Sequence, residues 1–280
     1  MSIQQLVEIS NYYGKDEEIV ILGGGNTSYK DEKHLYVKGS GTMLSTITAD
    51  GFVKMDRAKL SRMWDKTYSD DTDTREAEVL ADLMDARVDK DKRPSVETAL
   101  HNLFRQTYVV HTHPTVVNAL TCAVDGEAWA KKLFGDSAIW LGAAMPGYVL
   151  SKITKDALEK NPDCQIILLE NHGIFVAADT VDEIKVLMDK ALSTIKQNIN
   201  FTGADAKIAA LLSAGRDSFT AKYGIFTPDH YVYRDNEKLF TDSVKIAVYA
   251  ESFGGSKPMP DWLTDFIANW EVETYRKSQA

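Results

Sequence analysis

His111 and His113 are separated by one residue within TYVVHTH (107–113), a β-branched run that reads as a strand halted by Pro114. Strand side chains alternate faces, so both imidazoles point the same way, about two strand rises apart. That spacing suits two nitrogen ligands on one metal. A half-buried strand whose histidines hydrogen-bond locally would have the same pattern. His172 sits between Asn171 and Gly173 at an expected hairpin turn, beside Glu170, and is a third candidate ligand. Three neutral imidazoles with an open fourth position make a catalytic zinc-type site, whereas a lone turn histidine is usually only solvated. Glu97 and His101 stand at i and i+4 on the helix expected before the H-x-H strand, so they share a face, as an ordinary surface pair also would.

The elements that must position these residues follow from apolar spacing and turn chemistry. Residues 2–13 read as an amphipathic helix capped by Ser2, with Ile3, Leu6 and Val7 on one face. EEIVIL (17–22) reads as a strand entering GGGNTS (23–28), and HLYVK (34–38) as a strand entering GSGT (39–42). Helices are expected over about 56–65, 74–88 and 95–106, the last with Ser95 as its N-cap. CQIILLENHGIFVAA (164–178) reads as a hairpin in which Gly173 relieves the turn, and Thr180 with Glu183 as a capping box opening a helix. Beyond about residue 200 the reading is a short helix, a loop at Pro228, the polar YVYRDNEKLF, a strand near 243–250 and a terminal helix near 260–276. There is no internal repeat or low-complexity segment.

Composition bounds the partners. The chain of 280 residues is 44% hydrophobic and 26% charged, with a formal net charge of −9 and lysines scattered among acidic neighbours, which disfavours nucleic acid and anionic membrane as partners. No apolar run approaches the ~20 residues needed to span a bilayer, and the N-terminus lacks the order of a secretory signal. Cys122 and Cys164 lie in apolar contexts without C-x-x-C spacing, so buried thiols in a reducing, cytoplasmic setting are expected.

Taken in chain order, G-N-x-S at 25–28, K-G-S-G at 38–41, S-x-E-x-x-x-H at 95–101, H-x-H-P at 111–114 and N-H-G at 171–173 resemble the class II aldolase/adducin family. The resemblance implies an α/β fold, three-layer α/β/α with a mostly antiparallel central sheet, over residues 1–200. Residues 201–280 would form an extension packed on the same domain. It also implies His111, His113 and His172 as ligands of one divalent metal per chain, and Glu97 as the acid/base that occupies the metal in the resting state. Zinc suits an all-imidazole set with one open position better than magnesium does. A phosphate site would comprise Asn26, Ser40, Gly41 and Ser95, with Lys38 as a nearby cation. The assembly implied is a homotetramer with sites at subunit interfaces.

In chemical terms, a metal bound by the ketone and hydroxyl oxygens of a sugar stabilises the enediolate formed on carbon–carbon cleavage, while Glu97 transfers a proton at the adjoining carbon. The implied function is reversible aldol cleavage of a phosphorylated ketose to dihydroxyacetone phosphate and an aldehyde. Epimerase or decarboxylase chemistry of the same kind, and a non-catalytic adducin-like module, are the rivals. RPSVETALH, PGYVLSKI and FTPDHYVYRD are most similar to the aldolase half of bifunctional rhamnulose-1-phosphate aldolase/dehydrogenases. GGGN does not meet the dinucleotide fingerprint and nothing after residue 200 has room for a Rossmann domain, so a stand-alone aldolase module is expected. Two departures stand out. Val96 replaces a second serine of the fuculose-phosphate aldolase pattern, and Trp140 falls near the position of the proton-donating tyrosine of that pattern, with Tyr148 a few residues later as its substitute.

Overall fold

The computed structural model describes residues 2–270. Seven strands, β1 (Asn26–Lys30), β2 (His34–Lys38), β3 (Phe52–Asp56), β4 (Tyr108–Thr112), β5 (Ile139–Leu141), β6 (Ile166–Leu169) and β7 (Gly173–Ala178), form one sheet in the order β3-β2-β1-β4-β7-β6-β5. All neighbours are antiparallel except β5 and β6.

Helices α1 (Ile3–Gly14), α2 (Arg57–Arg62), α3 (Thr72–Ala86), α4 (Thr98–Leu103), α5 (Thr115–Thr121), α6 (Gly126–Phe134), α7 (Tyr148–Lys160) and α8 (Val181–Lys196) flank the sheet on both faces. Tyr108 and Val110 of β4 pack with Leu6, Val117 and Met188 of α1, α5 and α8, whereas the intervening Val109 packs with Leu100 of α4 and Leu150 of α7. The period of two therefore survives although every β4 residue is buried. The result is the mostly antiparallel α/β/α arrangement that the motifs imply.

Five further helices, α9 (Ala204–Ala214), α10 (Arg216–Tyr223), α11 (Pro228–Val232), α12 (Glu237–Ala250) and α13 (Asp261–Asn269), complete the described chain. The expected strand at 243–250 is instead the second half of α12. Asn236 caps it through Lys238 N and Leu239 N, and Phe240, Val244 and Ala247 form a helical stripe against Phe219 and Phe226. Its β-branched valines and isoleucine mimic a strand because the helix is buried almost all round. The terminal helix begins as expected, and residues 271–276 lie outside the described residues.

Residues 17–22 are also not a strand. Asp16 holds a turn by accepting from the backbone N–H groups of Glu18, Ile19 and Val20, and Leu22 has a φ of 52°. Ile19 and Val20 still enter the core, which accounts for the apolar run. The helix expected from Ser95 starts at Thr98 and ends at Leu103. Ser95 itself donates its backbone N–H to Lys38 O, and its hydroxyl accepts from Glu97 N at 3.3 Å. In the β6–β7 hairpin the left-handed residue is Asn171, at φ 56°, and not Gly173. Gly173 is required for a different reason, since a Cβ there would collide with the carbonyl of Thr112.

Candidate metal centre

The sheet brings the three histidines together. His111 occupies the β4 position facing Asn26 of β1 and Phe175 of β7, and its ring stacks on Phe175 at a centroid distance of 4.0 Å. His113 lies one residue beyond the strand, where its backbone N–H donates to Ile19 O in the segment that is not a strand. His172 comes from the β6–β7 turn. The Nε2 atoms of His111 and His113 are 3.0 Å apart, and those of His111 and His172 3.4 Å.

Hydrogen bonds on the far side of each ring decide what those atoms are. His111 Nδ1 lies 3.0 Å from the carbonyl of Ile174 and His113 Nδ1 lies 2.6 Å from Oδ2 of Asp229, and both partners only accept. Both Nδ1 atoms therefore carry the proton in the neutral rings, and both Nε2 atoms present lone pairs to each other. Two lone pairs at 3.0 Å repel unless a cation lies against them. Metal–nitrogen bonds of ~2.0–2.1 Å in a tetrahedron place neighbouring ligand atoms about 3.3 Å apart, close to the separations seen. Burial pushes His172 down to about 3, so its imidazole is neutral and competent as a ligand.

Glu97 is 4% exposed and closes the fourth side, its Oε2 3.6 Å from His111 Nε2 and its Oε1 3.8 Å from His172 Nε2. Oε1 is buried and accepts no hydrogen bond among the described residues, an orphaned acceptor that a cation would satisfy. The donor set and this carboxylate thus fit a divalent metal.

Oε2 accepts from Asn26 Nδ2 at 2.5 Å. The amide oxygen of Asn26 then faces His101 Nε2, which must donate, leaving His101 Nδ1 to accept from the Ser28 hydroxyl at 2.7 Å. Burial holds the His101 pKa well below the ordinary value, in keeping with a neutral ring. Every donor in the chain Ser28–His101–Asn26 points toward Glu97. The Glu97–His101 pair is therefore no surface contact: Glu97 is the N-cap residue just before α4, not part of the helix as expected, His101 lies within α4, and both are buried.

A cleft opens beside the histidines, lined by Asn26, Lys38, Ser40, Gly41, Ser95, Val96 and Glu97. Gly25 at the entry of β1 has φ 65°, and a Cβ there would stand 2.7 Å from His111 O. Lys38 Nζ reaches Gly23 O at 3.3 Å, bracing the glycine loop. Of the expected anion-binding residues, Asn26 differs from expectation in that its amide spans Glu97 and His101. Tyr148 lies outside the cleft, its ring stacked on Trp64 and edge-on to Tyr68. Trp140 packs on the core beside Gly126. Sequence reasoning missed Asp229 and Tyr233, which the fold brings to His113 and to the cleft wall. FTPDHYVYRD contains both, yet no spacing rule connects that segment to a histidine more than a hundred residues earlier.

This fold and site define a member of an established family. Residues 4–197 match the Class II Aldolase and Adducin N-terminal domain, and the chain belongs to that family. Class II aldolases use a divalent metal, and the histidine cluster fits one. The chain is similar to the N-terminal class II aldolase domain of a conserved protein from Thermoplasma acidophilum, with 25% identity over 70% of this chain and 93% of that one at a TM-score of 0.61. It also matches an L-fuculose 1-phosphate aldolase from Glaciozyma antarctica PI12, with 14% identity over 90% of this chain and 91% of that one at a TM-score of 0.47. Among curated proteins it is 29% identical over 205 residues to an uncharacterized oxidoreductase, YuxG, of Bacillus subtilis, covering 70% of this chain but spanning only 29% of that relative's length. No helix among the described residues is long and apolar enough to cross a membrane.

Proposed function

We propose that the chain catalyses metal-dependent, reversible aldol cleavage of a phosphorylated ketose of the rhamnulose or fuculose 1-phosphate kind, releasing dihydroxyacetone phosphate and an aldehyde. The observation that carries this reading is the convergence of three imidazole nitrogens on a buried carboxylate at the mouth of a cleft of small residues. His111, His113 and His172 would hold the metal, zinc by the chemistry of the ligand set, with Glu97 as a fourth ligand in the resting state. The ion supplies Lewis acidity toward the oxygens of the reacting sugar.

Glu97, held in place by the Asn26 amide, would move the proton at the substrate carbon. Ser40, Gly41 and Ser95, with Lys38 behind them, form the anion pocket for the phosphate. Tyr233 is the cleft phenol of this chain, and Tyr148 packs against Trp64 and Tyr68 instead. The proposed assembly is a homotetramer, and the proposed compartment is the cytoplasm.

Purified protein supplied with Zn2+ and a panel of ketose 1-phosphates, with products identified by mass spectrometry, tests the reading. Cleavage to two three-carbon fragments is expected from a six-carbon ketose phosphate. A product of unchanged mass would reassign the chain as an epimerase, and loss of carbon dioxide from an acidic substrate as a decarboxylase. An adducin-like module would turn over none of them.

A further inference from the structure

The family match ends at residue 197, yet a carboxylate that touches the metal centre lies beyond it. Thr227 caps α11 by accepting from His230 N, Pro228 occupies the first turn, and Asp229 follows, 3% exposed. Its Oδ2 sits 2.6 Å from Nδ1 of His113. β4 stops at Thr112, so the strand ladder does not fix the His113 ring.

Two features show that the contact is built. A Cβ on Gly24 would lie 2.6 Å from Asp229 Oδ2 and 3.4 Å from His113 Nδ1, so the glycine loop covers the pair at a distance only glycine allows. On the other side of Pro114, Asp242 of α12 accepts from the Thr115 hydroxyl at 2.5 Å and meets His230 Nε2 at 3.0 Å. The helices after residue 200 thus hold the chain on both sides of Pro114, at His113 and at Thr115.

We infer that Asp229 is a positioning residue of the metal centre, fixing the tautomer and orientation of His113, and that the segment after the family domain is part of that centre. The inference rests on the metal site proposed above. A carboxylate hydrogen-bonded to the far nitrogen of a ligating imidazole directs the other lone pair at the metal and makes it more basic.

The test uses the full chain stripped of metal, titrated with Co2+ while its visible d–d bands are followed, and with Zn2+ in competition with a chromophoric chelator. Asp229→Ala is expected to weaken metal affinity about 10- to 100-fold and to alter the Co2+ bands. Thr115→Val cuts the neighbouring Asp242 link without touching a ligand. It is expected to lower the melting temperature while holding affinity within about threefold of wild type, so the two variants would behave alike if Asp229 only braced the fold. Should Asp229→Ala fail to fold, Asp229→Asn decides, because it preserves shape and an acceptor oxygen but drops the charge, and several-fold weaker binding is expected. Wild-type affinity in the folded Asp229 variant overturns the inference alone. A wild-type chain that binds neither ion overturns the metal site with it.

Discussion

Glu97 faces His172 with Oε1 and His111 with Oε2, the oxygen that the Asn26 amide also holds, so its position and its proposed proton transfer can be separated by mutation. Glu97→Gln preserves size and should leave metal content intact while activity falls ~10²- to 10⁴-fold, the range for a general acid–base group. Solvent deuterium exchange into dihydroxyacetone phosphate should fall with it, and near wild-type exchange would place the base elsewhere. Asn26 separates two roles in one substitution. Because its amide is bonded to Glu97, Asn26→Ala should lower kcat by about tenfold or more with KM nearly unchanged. A raised KM at constant kcat would show that Asn26 serves the phosphate instead.

The elements decide how close these residues can approach. Gly173 opens β7 against the carbonyl of Thr112, and a Cβ would also meet Cδ2 of His113 at 2.8 Å. Gly173→Ala should therefore cost ~1–3 kcal/mol of stability by overpacking, read as a lower denaturation midpoint. The same substitution should weaken metal binding, and an unchanged midpoint and affinity together would contradict the tight approach. Much of this scaffold was legible in the sequence. β2, β4 and the β6–β7 hairpin announce themselves by short β-branched or apolar runs ended by turn residues, and Thr180 caps α8 by accepting from Glu183 N as its capping box requires. The H-x-H spacing alone put two imidazoles on one face. What escaped was set by tertiary packing: the buried apolar run that turns at Asp16, the α12 helix rich in β-branched residues, and a helix start delayed to Thr98 because Ser95 is bonded to the end of β2. Asp229 escaped because only folding makes it a neighbour of His113.

For the whole molecule, Phe240, Val244 and Ala247 of α12 cluster with Cys122 at the end of α5, Ala250 joins the core that holds Val117 and Leu120 of α5, and Lys257 N donates to Cys122 O. The described residues beyond 197 are thus bonded to the core of the matched domain at several points. Assembly is a separate matter. A homotetramer is expected on the family resemblance, and multi-angle light scattering should return four times the 31.2 kDa chain mass. A fully active monomer at assay concentration would show that each cleft is complete in itself.

The residues of the candidate metal centre are far apart along the chain: His111 and His172 are separated by 61 positions, Asn26 and Glu97 by 71, and His113 and Asp229 by 116. This wide spacing has a kinetic consequence. A site closed by such long loops cannot form before the sheet has registered, so metal cannot act as a folding template in the way it does for a small finger whose ligands are local. Metal should bind the finished native state and slow its loss. Stopped-flow refolding rates are expected to be the same with and without Zn2+, whereas unfolding in denaturant should slow in its presence. Refolding accelerated by the ion would mean that part of the cluster exists in the unfolded ensemble.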